Sequence, residues 1–294
     1  MAVTRVHSSD SQVFVNDQRI PLIQSLNIST NKDVTPLREL GEYHVVDRIL
    51  NSNQTTELSI NTIISTGASG VDPFYTFQEQ EAGFLSTTNF DFKAKDNAGE
   101  SLISGAYLTA YTLDGSVGEI VKGATTYEAD TITFNTGNFL TDADRTTDAI
   151  NNFNVFRPED IVITTTTKNI FGDALPTNEG VSSSGLYIQN FSLNVGVSRD
   201  SINRIGTRIP QFRYPTLPAE GNLNFSVIKN QATGIDLSAL VLDSGTIKID
   251  LKDNAKNSIM SFSTSGCSLL SLAESLEEGG NATLDFSYNF SIQN

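Results

Sequence analysis

The chain of 294 residues has one cysteine, no tryptophan and few positive charges, and each shortage excludes a class of protein. Cys267 on its own rules out an intrachain disulfide framework, and its apolar neighbours predict a buried core thiol. The lack of tryptophan argues against a sugar-binding platform, which commonly uses large aromatic faces. No run of 18 apolar residues is present, so no membrane-spanning helix is expected, and no apolar signal-peptide region follows Met1.

Candidate catalytic groups are also scarce. His7 and His44 lie in different regions, without a serine or cysteine nucleophile signature nearby. The acidic run at residues 142–148 lacks the central glycine of a calcium loop, and Phe153 stands where its bidentate glutamate belongs. Walker, dinucleotide-binding and zinc-ligand motifs are absent from the sequence. The sequence therefore predicts a protein that is not an enzyme and that holds no metal or cofactor.

The charge is strongly negative, since 34 acidic residues stand against 19 basic ones and give a net charge of -15. A protein with this balance is not expected to bind nucleic acid by neutralising its phosphates. The hydrophobic content of 38%, with abundant serine, threonine and asparagine, is typical of β proteins with much exposed strand and loop.

The strongest positive signal is an internal duplication. Residues 22–63 match residues 187–228 at a constant offset of 165, which places Arg48 on Arg213. A second block matches at an offset of 157, where the Lys-Asp-Asn-Ala run at 95–98 returns at 252–255 and Ser101 falls on Ser258. Units of this length are fused domains rather than solenoid repeats. We predict two tandem domains, residues 1–140 and 141–294.

Alternating apolar and polar residues predict strands in both copies. The clearest is the last, where the apolar residues from Leu284 to Ile292 occupy every second position. Strands are also predicted at residues 12–15, 22–30, 57–64 and 161–163. Each copy is predicted to add one short helix, near residues 74–82 and 237–242. The fold class predicted is mainly β, with two β-sandwich or barrel domains.

The second copy resembles the tail tube proteins of tailed bacteriophages and related injection machines. The resemblance rests on the run from Gly185 to Leu193, on Ile205-Gly206-Thr207-Arg208, on Phe212-Arg213-Tyr214-Pro215 and on Gly279–Phe286. It covers most of residues 155–294 and extends to residues 20–134. The first copy departs from it at residues 43–46, where Tyr-His-Val-Val replaces an Arg/Pro-rich run.

In that family, hairpins of neighbouring subunits form a continuous β-lined channel, and a long loop reaches the adjacent ring. The resemblance therefore implies that residues 31–56 and 198–221 are ring-stacking loops. The candidate inter-ring contacts in these loops are Arg38, Glu39, Asp47, Arg48, Arg199, Arg204, Arg208 and Arg213.

The function implied is that of a structural virion protein, a tail tube subunit made in the host cytoplasm. Because tubes are usually six-fold, three duplicated chains are expected to form a pseudo-hexameric ring that stacks head to tail. Its expected partners are sheath, terminator or baseplate proteins, and genomic DNA that passes through the lumen without specific binding. The sequence also leaves two alternatives open: a tube-fold baseplate or neck protein, and a β-sandwich binding module such as an adhesin or capsid decoration protein.

Overall fold

The structure, a computed structural model, describes residues 12–15, 18–20, 22–31, 34–38, 44–45, 47–50, 55–66, 89–95, 99–135, 154–156, 161–165, 187–205, 207, 209–228, 245–252, 258–276 and 281–292. Every regular element in these ranges is a β-strand, which confirms the mainly β class. The described residues include no helix long and apolar enough to cross a membrane. The helices predicted near residues 74–82 and 237–242 lie outside these ranges.

The strands of the first half lie within residues 12–135. They are β1 (Gln12–Val15), β2 (Gln18–Arg19), β3 (Ile23–Asn31), β4 (Val34–Leu37), β5 (Asp47–Leu50), β6 (Thr55–Ile63), β7 (Ser65–Thr66), β8 (Phe90–Lys95), β9 (Glu100–Ser116), β10 (Lys122–Ala129) and β11 (Thr131–Asn135).

The strands of the second half begin after residue 150. They are β12 (Asn154–Val155), β13 (Ile161–Thr165), β14 (Tyr187–Gly196), β15 (Arg199–Ile202), β16 (Phe212–Pro215), β17 (Ala219–Ile228), β18 (Gly245–Lys252), β19 (Ser258–Ser275) and β20 (Thr283–Ile292). The predicted strands at 12–15, 22–30, 57–64, 161–163 and 284–292 are thereby confirmed to within two residues at their ends.

Fourteen strands form one connected sheet, with the order β13-β18-β19-β20-β17-β14-β9-β10-β6-β3 and with β1, β2, β8 and β11 joined through β9. The eight strands from β19 to β3 form what we call the main layer. The other six strands of this sheet (β1, β2, β8, β11, β13 and β18), with the first parts of β9 and β19, pack on one face of the main layer, and we call them the second layer. The pairs β4-β5, β7-β12 and β15-β16 are separate two-stranded sheets. Phe92 of β8 meets Tyr127 of β10 with ring centroids 4.8 Å apart, and Tyr111 of β9 meets Phe262 of β19 at 5.6 Å.

Two long strands pass from one layer to the other. The first part of β9 pairs with β8, and from Tyr107 onward it pairs with β10. The first part of β19 pairs with β18 as far as Cys267, and the rest pairs with β20. A glycine with positive φ lies at each change of layer, Gly105 at 68° and Gly266 at 61°. Glycine is favoured there because a side chain makes this backbone conformation costly.

The two halves repeat the same strand pairing. β3-β6-β10-β9 in the first half corresponds to β14-β17-β20-β19 in the second. Leu58 lies opposite Tyr127, and its match Leu223 lies opposite Tyr288. The pairing register also shifts at equivalent positions in both halves. In the first half the register between β10 and β9 shifts between Thr126 and Tyr127. In the second half the register between β20 and β19 shifts next to Tyr288, the match of Tyr127.

The strand pairing corrects one detail of the sequence match. Ser101 lies opposite Ala94, whereas Ser258 lies opposite Lys252, so these serines do not occupy equivalent positions. Extra residues in β19 raise the offset from 157 to 161, at which Asp114 corresponds to Ser275. The boundary between residues 140 and 141 lies outside the described ranges, and the division into two domains there stays a prediction.

Candidate functional site: the polar face and the sheet edges

The main layer has one apolar and one polar face, because its strands alternate in burial. β17 and β20 illustrate this, since the side chains of Leu223, Phe225, Phe286 and Tyr288 are at most 5% exposed. The opposite face, which we call the polar face, carries small hydrogen-bonding side chains on every strand. It consists of Ser25, Asn27, Ser29, Glu57, Ser59, Asn61, Thr112, Asp114, Ser116, Lys122, Ala124, Thr126, Glu128, Asn190, Ser192, Asn194, Glu220, Asn222, Asn224, Ser226, Ser271, Ala273, Ser275, Asp285, Ser287, Asn289 and Ser291.

The polar face is acidic but not densely charged. Among its described residues five are carboxylates and one is a lysine, and most of the others are serine, threonine or asparagine. Neighbouring side chains bond to each other across the strands: Asn61 Nδ2 donates to Ser25 Oγ over 2.6 Å, and Asn289 Nδ2 donates to Glu220 Oε2 over 3.3 Å. A surface of this kind is hydrated and offers no apolar patch to a protein partner.

The main layer ends at two strands that each have one described neighbour. β3 pairs with β6, and the final part of β19 pairs with β20. The core-side residues of these edges are less buried than their matches inside the sheet. Leu26 and Ile28 are only partly buried, whereas Phe191 and Leu193 are 3% and 1% exposed. Leu276, at the other edge, is 75% exposed. Such edges invite pairing with another strand.

Both predicted stacking loops contain a hairpin rather than an irregular connection. β4 pairs with β5 in the first copy, and β15 pairs with β16 in the second. The second hairpin and its flanks expose apolar side chains of isoleucine, phenylalanine, tyrosine and leucine. These are Ile202 (49%), Ile205 (102%), Ile209 (45%), Phe212 (49%), Tyr214 (45%) and Leu217 (57%).

The residues predicted as inter-ring contacts do not form one group. Arg38, Asp47, Arg48 and Arg204 are exposed on the two hairpins or beside them, where a neighbouring molecule can reach them. Glu39 and Arg208 lie outside the described residues.

Two of these arginines, Arg199 and Arg213, make contacts inside the chain, and their role between rings stays a prediction. Arg213 is 3% exposed; its guanidinium pairs with Glu128 and lies 3.0 Å from Asp130. Arg199 Nε donates to the carbonyl of Leu108 over 2.8 Å. Both therefore fasten the second hairpin to the first copy of the sheet. Sequence alone gave no sign of this, because Arg213 and Glu128 are 85 positions apart.

The Arg213 ion pairs are partly shielded from solvent. Burial raises the pKa of Asp130 above its ordinary value of 3.8, although the hydrogen bond and the positive charge of Arg213 oppose that rise. Burial also raises the pKa of the Tyr107 hydroxyl and lowers the pKa of the Arg199 guanidinium. These shifts follow from removing charge from water at the junction of the two copies, and no reacting group is implied.

Within the described part of the chain, no three histidine, cysteine or acidic side chains are grouped closely enough to hold a metal ion. Cys267 is buried, as predicted. A comparison with protein-family models finds no match for this chain, and a comparison with curated proteins finds none.

Proposed function

We propose that the protein is a structural, self-assembling tail tube subunit, in which three chains close into a ring and the rings stack to form a channel for DNA. The observation that supports this most strongly is the junction between the two copies inside one chain. There β9 and β14 pair antiparallel over seven positions, from Asn190 opposite Ser116 to Gly196 opposite Ala110. The junction joins the last strand of one four-strand unit to the first strand of the next.

The free edges of the main layer are the equivalents of this junction. β3 corresponds to β14, and the final part of β19 corresponds to the final part of β9. When β19 of one chain pairs with β3 of the next in the register of β9 and β14, six pairs of described residues result. They are Leu26 with Leu276, Asn27 with Ser275, Ile28 with Glu274, Ser29 with Ala273, Thr30 with Leu272 and Asn31 with Ser271.

The side-chain volumes at the two junctions are complementary. Inside the chain the ring of Phe191 fills the space over Gly115, where an added Cβ would lie 2.4 Å from Phe191 Cε1. The matching pair between chains is Leu26 and Leu276. Both are of intermediate size, whereas the pair inside the chain combines the large Phe191 with Gly115. Pairing would cover the exposed leucine and complete the burial of its partner, and both changes favour association.

Closing the ring uses both edges of every chain. Eight main-layer strands from each of three chains give a barrel of about 24 strands. With strands about 4.8 Å apart, its circumference is about 115 Å and its diameter about 37 Å before strand tilt widens it. The polar face, lining the inside, would present hydrated neutral groups and carboxylates to DNA, which they would not bind.

One position departs from the internal junction and gives a test of the register. Glu274 is exposed and corresponds to the fully buried Leu113, and in the ring it would face Ile28. We expect Glu274→Leu to lower the concentration needed for half assembly by about tenfold or more, because burying a leucine contributes about 1.5–3 kcal/mol. Glu274→Gln, which removes only the charge, should have a smaller effect. Equal assembly of Glu274→Leu and wild type in mass photometry would contradict this register.

The assembly itself is tested on the purified full chain by negative-stain microscopy and mass photometry. We expect hollow tubes, or rings whose mass equals three chains. Single rings that never lengthen would favour the baseplate or neck alternative. A protein that stays monomeric at high concentration would overturn the tube proposal in favour of a binding module.

A further inference from the structure

Inside the chain, the β9–β14 junction is reinforced by an ion pair. Arg213 of β16 belongs to the second copy, and its guanidinium reaches the carboxylates of Glu128 and Asp130 at the end of β10 in the first copy. The hairpin of one copy is thus held to the sheet of the preceding copy. If chains join as the copies do, each new junction places the hairpin of a first copy over the end of a second copy.

Arg48 takes the place of Arg213 at that new junction. It lies on β5 opposite Pro36, as Arg213 lies on β16 opposite Ser201, and both pairs are 165 positions apart. Arg213 is 3% exposed, but Arg48 is exposed. Among the described residues, the Arg48 guanidinium has no ion-pair partner within the chain.

The receiving end of β20 carries no acidic residue at the equivalent positions. Glu128 and Asp130 correspond to Asn289 and Ser291 at the offset of 161 that the strand pairing gives. A carboxylate is nevertheless present. Glu220 on the neighbouring strand lies opposite Ser291, and its Oε2 accepts a hydrogen bond of 3.3 Å from Asn289 Nδ2. A negative charge therefore lies beside Asn289, the match of Glu128, but it is carried by β17 and not by β20.

We propose that Glu220 of one chain pairs with Arg48 of the next, with Asn289 positioning the carboxylate, so that this ion pair fastens each junction between chains. The inference rests on the proposed ring. It also makes the two kinds of junction unequal: the one within the chain has two carboxylates around a buried arginine, whereas the one between chains has a single exposed carboxylate. Rings should therefore open between chains, and high salt should favour opening because it screens exposed ion pairs.

The test exchanges the two charges in the full chain. Arg48→Glu and Glu220→Arg each place like charges together, and each should raise the concentration for half assembly of the three-chain particle by about tenfold or more. The double variant restores an opposite pair and should recover most of the wild-type assembly. Arg19→Glu is the matched control, since Arg19 lies on β2 in the second layer, and it should assemble normally. Circular dichroism checks that every variant is folded.

The outcomes separate the two proposals. Wild-type chains that never associate would contradict the proposed ring and, with it, the ion pair. Wild-type rings with single variants that assemble as well as wild type would overturn the ion pair and leave the ring intact. A third outcome is that both single variants fail to assemble and the double variant does not recover assembly. In that case the Arg48→Cys, Glu220→Cys variant decides, and the absence of an interchain disulfide under mild oxidation would overturn the ion pair.

Discussion

Arg213→Met will lower the free energy of unfolding by about 3–5 kcal/mol, the usual cost of removing one partner from a buried ion pair. The side chain of Arg213 is 3% exposed, and those of its partners Glu128 and Asp130 are 33% and 14% exposed. Methionine fills a similar volume, so the loss comes from the two carboxylates left together without a positive charge. The second hairpin would also lose one of its two anchors to the first copy and keep the bond from Arg199 to Leu108.

The loss should depend on pH, with a sign that identifies its cause. In the wild type, burial already raises the pKa of Asp130 above 3.8 against the opposing effect of Arg213. Without Arg213 the folded-state pKa rises further, so the folded variant binds a proton more tightly than the unfolded chain. The contribution of such a group is present below its unfolded pKa and is lost as the pH rises through the folded one. The deficit of Arg213→Met should thus shrink as the pH falls from 7 toward the ordinary carboxylate pKa of about 4.

Urea unfolding at pH 7 and at pH 4 measures both effects. Arg204→Met is the control, because Arg204 follows β15 of the same hairpin and is exposed, and we expect it to change stability by less than about 0.5 kcal/mol. A deficit for Arg213→Met that is equal at both pH values would point to lost packing instead of unpaired charge. No deficit at all would mean that the junction between the copies does not depend on this ion pair.

The sequence predicted the strands well where one face is buried. The alternation that ends in Phe286, Tyr288, Phe290 and Ile292 needs only local information, because successive side chains of a strand point to opposite faces. The duplication supplied a second, independent reading of each strand. The match from Arg48 to Arg213 held through the pairing of both hairpins, because no residue is inserted between residues 22 and 63 relative to the second copy.

The sequence did not predict which charges meet. Arg48 and Arg213 are equivalent in sequence, yet one is exposed and the other buried, since the partners lie on a strand of the preceding copy. The carboxylate of Glu220 stands over Asn289 through a cross-strand hydrogen bond, which a linear alignment of the copies does not reveal. Such contacts depend on how two distant segments are placed in the sheet, and local periodicity carries no information about that.

If the proposed channel forms, converting its polar face from acidic to basic should make it bind DNA. The suitable positions are Glu57 and Asp114, which are exposed, and Asp285, while Glu220 is left unchanged because it belongs to the proposed junction. With five carboxylates and one lysine the described polar face has a net charge of -4, and exchanging three acids for lysine brings it to +2. In the proposed tube each ring of three chains would repeat that change, so a duplex inside would meet lysines along its whole length.

Assembled tubes of the Glu57→Lys, Asp114→Lys, Asp285→Lys variant should retain short duplex DNA at 50 mM salt, whereas wild-type tubes should not. Retention through six to ten phosphate contacts falls about 10³–10⁵-fold between 50 and 200 mM salt, so it should vanish at the higher concentration. The matched control carries Gln, Asn and Asn at the same positions; it removes the acids without adding positive charge, and we expect no retention. If the lysine variant forms tubes that do not retain DNA at low salt, the polar face does not line the lumen, because lysines that face a confined duplex would contact its phosphates.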